Sequence, residues 1–324
     1  MTLNSPTIRT SETSDKTLIV LNPHAGGGKA GRLWTQIEPL LWAALGDLTI
    51  AVTQHSDDVA LHLDKARAAG ITRVIAIGGD GTNYALINTL MRLNVENPNA
   101  PRMTFGCLPI GTGHDWARTL GIPNTPAAAV RWIAGAHSTP IDLGRIRFTA
   151  HDQPVERHFL NIASAGIGGA IDRRVNLQTR RRPWTFLSAT VATLLFDQPQ
   201  PMCVTLDDQP WYDGRAYVLA VANGRSFGHG MKIAPDALYD DGLFDVVLIE
   251  GMPRLQALAA LNTVYSGAHI QRADVHVARA RSVQIEATQA IGLDLDGEAA
   301  EGGAIRFDVL PRALDVLTLS DALL

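Results

Sequence analysis

Apolar runs and stretches of helical period alternate along the first third of the chain. Thr17 to Leu21 is β-prone and ends at Asn22-Pro23; beyond three glycines, apolar positions recur with helical spacing from Leu33 to Leu45. The pattern repeats as a strand at Leu48 to Thr53, a helix from about Asp57 to Ala69, a strand at Val74 to Ile77, a glycine-rich loop and a helix through Met91. A further strand, Thr104 to Leu108, runs into Pro109-Ile110-Gly111-Thr112-Gly113, and Asp115 to Leu120 reads as one short helical segment. This alternation predicts a parallel sheet. Ligands of such sheets gather outside the carboxyl ends of the strands, so the three loops can converge on one site.

The character changes near Pro140. Short apolar or alternating runs follow at Phe159 to Ala163, Cys203 to Leu206, Ala216 to Ala222, Leu243 to Ile249 and Val283 to Ala287, and predict a largely antiparallel β domain. Two helices interrupt it, Trp184 to Phe196 and Pro253 to Ala268, the second opening on a proline suited to a first turn. The expected organisation is a polar mobile tail over 1–16, an α/β domain over 17–139 and a β-rich domain over 140–311. Whether 312–324 rejoins the first domain is left open.

Composition narrows the class. The 324 residues carry a net charge of -4 and 19% charged residues, which gives no overall reason to expect nucleic acid. No apolar stretch approaches the roughly 20 residues of a membrane-spanning helix. Cys107 and Cys203 stand far apart and outside any paired motif, against a disulfide framework or a cysteine zinc site. A cytoplasmic protein fits, and the first sixteen residues lack the apolar core of a signal peptide.

The chemistry concentrates in the loops. Gly78-Gly79-Asp80-Gly81-Thr82 lies between a buried strand and a helix, where small residues let backbone N–H groups approach phosphate oxygens. Asp80 beside phosphates would hold a cation or orient an acceptor; taken alone, the tripeptide reads equally as a tight turn with a helix cap. Asn22-Pro23-His24-Ala25-Gly26-Gly27-Gly28-Lys29 is a second phosphate-binding candidate that lacks the first glycine of a Walker loop. Gly26, Gly28 and Gly31 match GxGxxG, but no acidic residue ends the next strand at Thr53-Gln54-His55 to hold a ribose, which weakens a dinucleotide reading. Thr112 and Asp115 offer hydrogen bonds from the third loop. Leu293-Asp294-Leu295-Asp296-Gly297-Glu298 places several carboxylates around a turn glycine.

Together NPHAGGGKA, IGGDGT, PIGTGHDWAR, the segment Pro235 to Leu243 and the final DGE resemble the diacylglycerol kinase and sphingosine kinase catalytic family, in family order and over nearly the whole chain. The resemblance implies an α/β protein: a Rossmann-like parallel-sheet nucleotide-binding domain followed by a β-sandwich-like antiparallel domain. It implies an ATP-dependent, magnesium-requiring kinase acting on a lipid hydroxyl, diacylglycerol-like as the leading class. Asn22, Pro23, His24, Ala25, Gly26, Thr53, Gly78, Gly79, Asp80, Gly81, Thr82 and Thr112 would surround ATP. Glu298 would accept the proton with Asp296 as its neighbour, and Asp80 is the rival base. A structural magnesium site maps onto Asp241 with the backbone oxygens of Leu238 and Leu243; an aspartate-glycine turn accounts for that segment equally well. NAD kinase and a non-catalytic nucleotide- or lipid-responsive sensor are the alternatives, and a homodimer is left open.

Two departures stand out. Tyr84-Ala85 replaces the family's Asn-Glu beside the nucleotide, and His114 replaces an Asn. Arg173, Arg174, Arg180, Arg181 and Arg182 precede the apolar residues Trp184, Phe186, Leu187, Val191, Leu194, Leu195 and Phe196. That juxtaposition predicts transient contact with the inner face of an anionic membrane; a solvated loop before a core helix explains it as well.

Overall fold

The computed structural model describes residues 16–55, 58–111, 113–176, 185–287 and 289–319. Strand β1 (Thr17–Leu21) is buried along its whole length, as its uninterrupted apolar run requires of a strand covered on both faces. It pairs in parallel with β2 (Leu48–Val52) on one side and β3 (Arg73–Gly78) on the other, and β3 pairs in parallel with β4 (Thr104–Pro109). The chain thus steps outward from β1 in one direction and then reverses, which leaves a crevice at the carboxyl ends of β1 and β3.

Helices α1 (Ala25–Leu45), α2 (Asp58–Ala68) and α3 (Asp80–Glu96) make the connections. Their amphipathic spacing turns Ala30, Ile37 and Leu41 of α1, and Leu86, Ile87 and Leu90 of α3, into the core. The start of α1 is not regular helix: Gly26, Gly27 and Gly28 all have left-handed φ, between 62° and 80°. A short α4 (Asp115–Thr119) is followed by α5 (Pro126–Gly135), which was not anticipated although Pro126 stands at its start and its sequence is alanine-rich.

The remainder is dominated by antiparallel strands. β5 (His137–Ala150) and β6 (Gln153–Phe159) form a hairpin through His151-Asp152, both at positive φ as a two-residue turn demands. β7 (Ile162–Gly166), α6 (Gly168–Asn176), α7 (Thr185–Phe196), β8 (Gln200–Leu206), β9 (Gln209–Ala222) and β10 (Phe244–Glu250) come next. Then follow α8 (Arg254–Ser266), β11 (Val275–Ala280), β12 (Ser282–Glu286), β13 (Ile291–Leu295) and β14 (Glu298–Thr318). The strand expected over Phe159 to Ala163 is broken at Leu160-Asn161, where the backbone N–H groups turn to the Asp296 carboxylate instead of a ladder partner.

Period-two alternation gives this sheet two buried faces. Leu219, Val221, Leu293 and Leu295 pack with Phe159, Phe244 and Phe307, whereas Ile162, Ala220 and Ala222 lie against Ile171, Leu194 and Val264 of the covering helices. The long β14 joins the halves. It pairs antiparallel with β13, β12 and β5, and at Val316 it meets Phe105 of β4 in parallel. Leu314, Val316 and Leu317 enter the same core as β1, β3 and β4.

Candidate active site

Three loops meet at the carboxyl edge of the parallel strands. Asn22 anchors the first: its Nδ2 donates to Thr82 Oγ1 at 3.1 Å, and its own Oδ1 accepts the His24 N–H at 3.1 Å. A side chain at Gly26 would strike the Ile110 carbonyl at 2.5 Å, so the first loop lies directly on the third. The second and third loops touch backbone to backbone, since a Cβ on Gly111 would come within 2.5 Å of the Gly79 Cα. Thr53 is buried at the end of β2 and gives its hydroxyl to the Leu21 carbonyl at 3.2 Å. Thr112 lies outside the described residues.

Asp80 opens α3 behind the extended Gly79. Burial raises its pKa, against the opposing pull of His114 and of the Asp115 and His114 N–H groups. A Cβ at Gly113 would sit 2.3 Å from Asp80 Oδ2 and 3.5 Å from Asp115 Oδ2, so the two carboxylates face a common point. Asp115 accepts from Arg118 at 2.5 Å and from the N–H groups of His229 and Gly230 at 3.2 and 3.1 Å. Burial first, and then the Asp80 charge, push it up to about 7. Asp115 therefore ties the parallel-sheet loops to the Asn223–Gly230 loop after β9. That loop's Asn-Gly and Gly-x-Gly punctuation after a strand was the signal to look there.

His114, at φ 60°, donates Nε2–H to the Gly111 carbonyl at 2.5 Å and so braces the third loop. Tyr84 packs against the core of the antiparallel half. Burial pushes its hydroxyl up to about 12, with the Asp296 and Glu298 charges adding to the shift and Arg157 opposing it. The aromatic ring thus fills part of the seam between the halves.

The β13–β14 turn comes from the other side. Asp296, at φ 53°, accepts the N–H groups of Leu160, Asn161 and Ile162 at 2.6, 3.0 and 3.0 Å. Burial holds its carboxyl up to about 7, although those three donors pull it down. Glu298 is exposed and reaches across: a Cβ at Gly81 would lie 2.6 Å from Glu298 Oε1. Asp80, Gly81 and Glu298, 217 positions apart between the last two, therefore share one cleft.

Beneath α6, α7 and α8 lies a pocket with about 720 Å³ of empty space, its open mouth included, lined by Ile171, Leu194, Phe227, Met231, Leu261 and Val264 with Asp294. Its size and apolar walls are those of a small-molecule site. Sequence reasoning missed it because the lining is assembled from four separate stretches.

Leu238, Asp241 and Leu243 lie apart from this cleft. The Asp241 carboxylate is bound by the Arg279 guanidinium and accepts the Leu243 N–H at 3.1 Å, and Arg279 Nε also lies 3.7 Å from Asp245. Leu238 is exposed. A guanidinium already meets the charge a magnesium ion would need, so these residues do not fit a resident ion. Accordingly, added magnesium or EDTA is expected to leave the thermal midpoint of the wild-type protein unchanged in calorimetry. Arg279→Ala should lower that midpoint and make it rise with added magnesium.

Comparison with known proteins agrees with this layout. Residues 16–146 match the diacylglycerol kinase catalytic domain, and residues 161–318 match the YegS C-terminal NAD kinase beta sandwich-like domain. A protein of Pseudomonas aeruginosa (strain UCBPP-PA14) named "Probable lipid kinase YegS-like" is 30% identical over 305 residues, 93% of this chain and 94% of that protein. A diacylglycerol kinase of Mycobacterium tuberculosis (strain H37Rv) is 28% identical over 308 residues, 93% of this chain and 94% of its own length. A solved structure from Bacillus anthracis str. Sterne, provisionally assigned as a diacylglycerol kinase, superposes with a TM-score of 0.74 at 26% identity, covering 96% of this chain and 99% of that one. The chain belongs to the diacylglycerol kinase-like lipid kinases, phosphotransferases whose acceptor is an alcohol.

Proposed function

We propose that the protein transfers the γ-phosphate of ATP to the hydroxyl of a diacylglycerol-like lipid, with Glu298 as the base. The carrying observation is the approach of Glu298 Oε1 to Gly81, which puts an exposed carboxylate beside the GGDGT turn. Residues 17–139 form a Rossmann-like nucleotide domain to which 312–319 returns, and 140–311 form the lipid domain; the packing of Leu314, Val316 and Leu317 into the first core supports the return.

ATP lies over Asn22 to Gly26, Thr53, Gly78 to Thr82 and Thr112. The N-terminus of α3 faces the phosphates, and the glycines admit them close to the backbone. Magnesium, when bound, neutralises charge on the transferred phosphoryl group, and Asp80 with Asp115 is the oxygen pair that would hold it. Glu298 takes the acceptor proton as the lipid oxygen attacks in line with the γ-phosphate. The acyl chain enters the apolar pocket, where water is excluded. Asp296 keeps the turn in place and does not itself reach the acceptor.

The decisive assay is transfer of labelled γ-phosphate from ATP and magnesium to lipid alcohols in mixed micelles, with NAD alongside. A labelled lipid is expected; labelled NADP in its place would overturn the reading, and nucleotide binding without transfer would favour a sensor.

Peripheral membrane contact belongs to the same reading, with one revision. Arg174 is bound by Asp197 at 2.7 and 2.9 Å and by Thr193 at 2.8 Å, so it serves the packing of α6 on α7 rather than a lipid headgroup. Arg180, Arg181, Arg182 and Trp184 lie outside the described residues. Among the described residues no helix is long and apolar enough to cross a membrane. Two large apolar side chains nonetheless face solvent on the pocket helices: Phe196 at the end of α7 is 73% exposed, and Leu255 at the start of α8 is 82% exposed. Reversible docking by that rim accounts for both. The double variant Phe196→Ser, Leu255→Ser is expected to sediment less with anionic vesicles and to show a raised KM for vesicle lipid only; unchanged sedimentation would remove this surface from the reading.

A further inference from the structure

The apolar pocket contains one charged side chain among its described lining residues, Asp294. The residue sits on the helix-facing side of β13, 6% exposed, while its strand neighbours Leu293 and Leu295 point into the opposite core. Directly across the ladder, in register with Asp294, is Ser164 of β7. The Ser164 hydroxyl is wholly buried and has no hydrogen-bond partner. Gly168, another lining residue, leaves room above the pair: a Cβ there would lie 2.2 Å from Ser164 Oγ and 3.4 Å from the Asp294 Cβ.

A carboxylate and an unsatisfied hydroxyl side by side on an otherwise apolar face are costly to bury, and folding alone gives little reason for both. One oxygen of Asp294 has a structural task, accepting the Gly297 N–H at 2.7 Å. That bond also links the pocket floor to the turn carrying Glu298. The pair therefore stands between the space for the chain and the reacting end of the acceptor.

We propose that Asp294, with Ser164 beside it, reads a hydrogen-bond donor that the acceptor lipid carries in addition to its reacting hydroxyl. The inference rests on the placement of the acyl chain in this pocket. It narrows the acceptor to long-chain alcohols bearing a second hydroxyl or an amino group. A diester offers only carbonyl acceptors at this position; such an oxygen satisfies Ser164 and is repelled by the carboxylate. Asp294 acts here as a specificity-determining residue and takes no proton from the reacting hydroxyl.

The test compares kcat/KM of the full chain, with ATP and magnesium in mixed micelles, for 1-oleoylglycerol, an 18-carbon amino alcohol and 1,2-dioleoylglycerol. Sites built to bind a donor can reject analogues lacking it by about 10⁴-fold or more, so a preference of at least about 10²-fold for one donor-bearing acceptor is expected. The responding acceptor tells a second hydroxyl from an amine. Asp294→Asn should shrink that ratio mainly through the KM of the donor-bearing lipid, because an amide can donate to an ester carbonyl. Ser164→Ala should shift the ratio in the same direction by less. A wild-type preference for the diester overturns the proposal without any variant, and so does a folded Asp294→Asn protein with the wild-type ratio. Ala257→Trp, which plugs the pocket, separates the two readings: if all lipid turnover survives the plug, the chain lies elsewhere. If the plug stops turnover while Asp294→Asn keeps the ratio, only the donor reading fails.

Discussion

Glu298→Gln is expected to lower kcat for lipid phosphorylation by about 10²–10⁴-fold, the contribution of a positioned general base, while nucleotide affinity stays close to wild type. Glu298 begins β14, its side chain is exposed, and it meets the nucleotide side only at Gly81, so exchanging carboxylate for amide leaves packing untouched. Asp80 is placed differently. It is enclosed by the third loop, takes backbone N–H groups from His114 and Asp115, and faces a second carboxylate. Those surroundings suit a group that holds a cation or fixes the loop. Asp80→Asn should therefore weaken magnesium-dependent nucleotide binding along with turnover. Single-turnover rates and nucleotide titrations on both variants decide the assignment: a near wild-type Glu298→Gln rate, with loss confined to Asp80→Asn, would move the base to Asp80.

Much of this site could be read in the chain because its signals are local. GGDGT sits between a continuous apolar strand and an amphipathic helix, and the Asn22-Pro23 loop leaves a strand of the same kind, so period and punctuation place both loops at one sheet edge. What escaped depends on distant partners. β5 and β14 pair over most of their length, yet the register shifts at Gly303/Arg306 and Leu310/Leu314 break the alternation that would have shown them. Arg279 meets Asp241 only because β11 lies beside β10, a pairing no motif announces. The same holds for Asp294: within the motif it is one acid among three, and only the sheet's two faces separate it from Asp296. Tyr84 shows the converse. A missing polar pair looked like lost nucleotide chemistry, but the side chain that replaces it packs into the seam between the halves.

Asp296→Ala is expected to destabilise the protein by about 3 kcal/mol or more, because it strands three main-chain donors at once, each costing about 1–3 kcal/mol when buried and unpaired. Leu160, Asn161 and Ile162 are all buried, and no ladder partner stands ready for them at the break between β6 and β7. The damage should spread, since Asn161 also donates Nδ2–H to the Ser226 carbonyl at 2.8 Å and receives the Thr119 hydroxyl at 3.3 Å. Activity then falls with stability, unlike Glu298→Gln, which should lose turnover at an unchanged denaturation midpoint. Asp296→Asn keeps an acceptor oxygen and should cost less. Its pH response carries further information. The folded carboxyl titrates near 7 against an ordinary 3.8, so between those values the folded state holds a proton that the unfolded chain releases. The stability from this group is full below about pH 3.8 and lost as pH rises through 7. Denaturant melts of the wild type should therefore weaken over that window, with Asp115, also held near 7, adding to the slope. Asp296→Asn, which cannot ionise, should show a shallower slope; a slope identical to wild type would mean that Asp296 is already charged at low pH in the folded protein, its three N–H donors outweighing its burial.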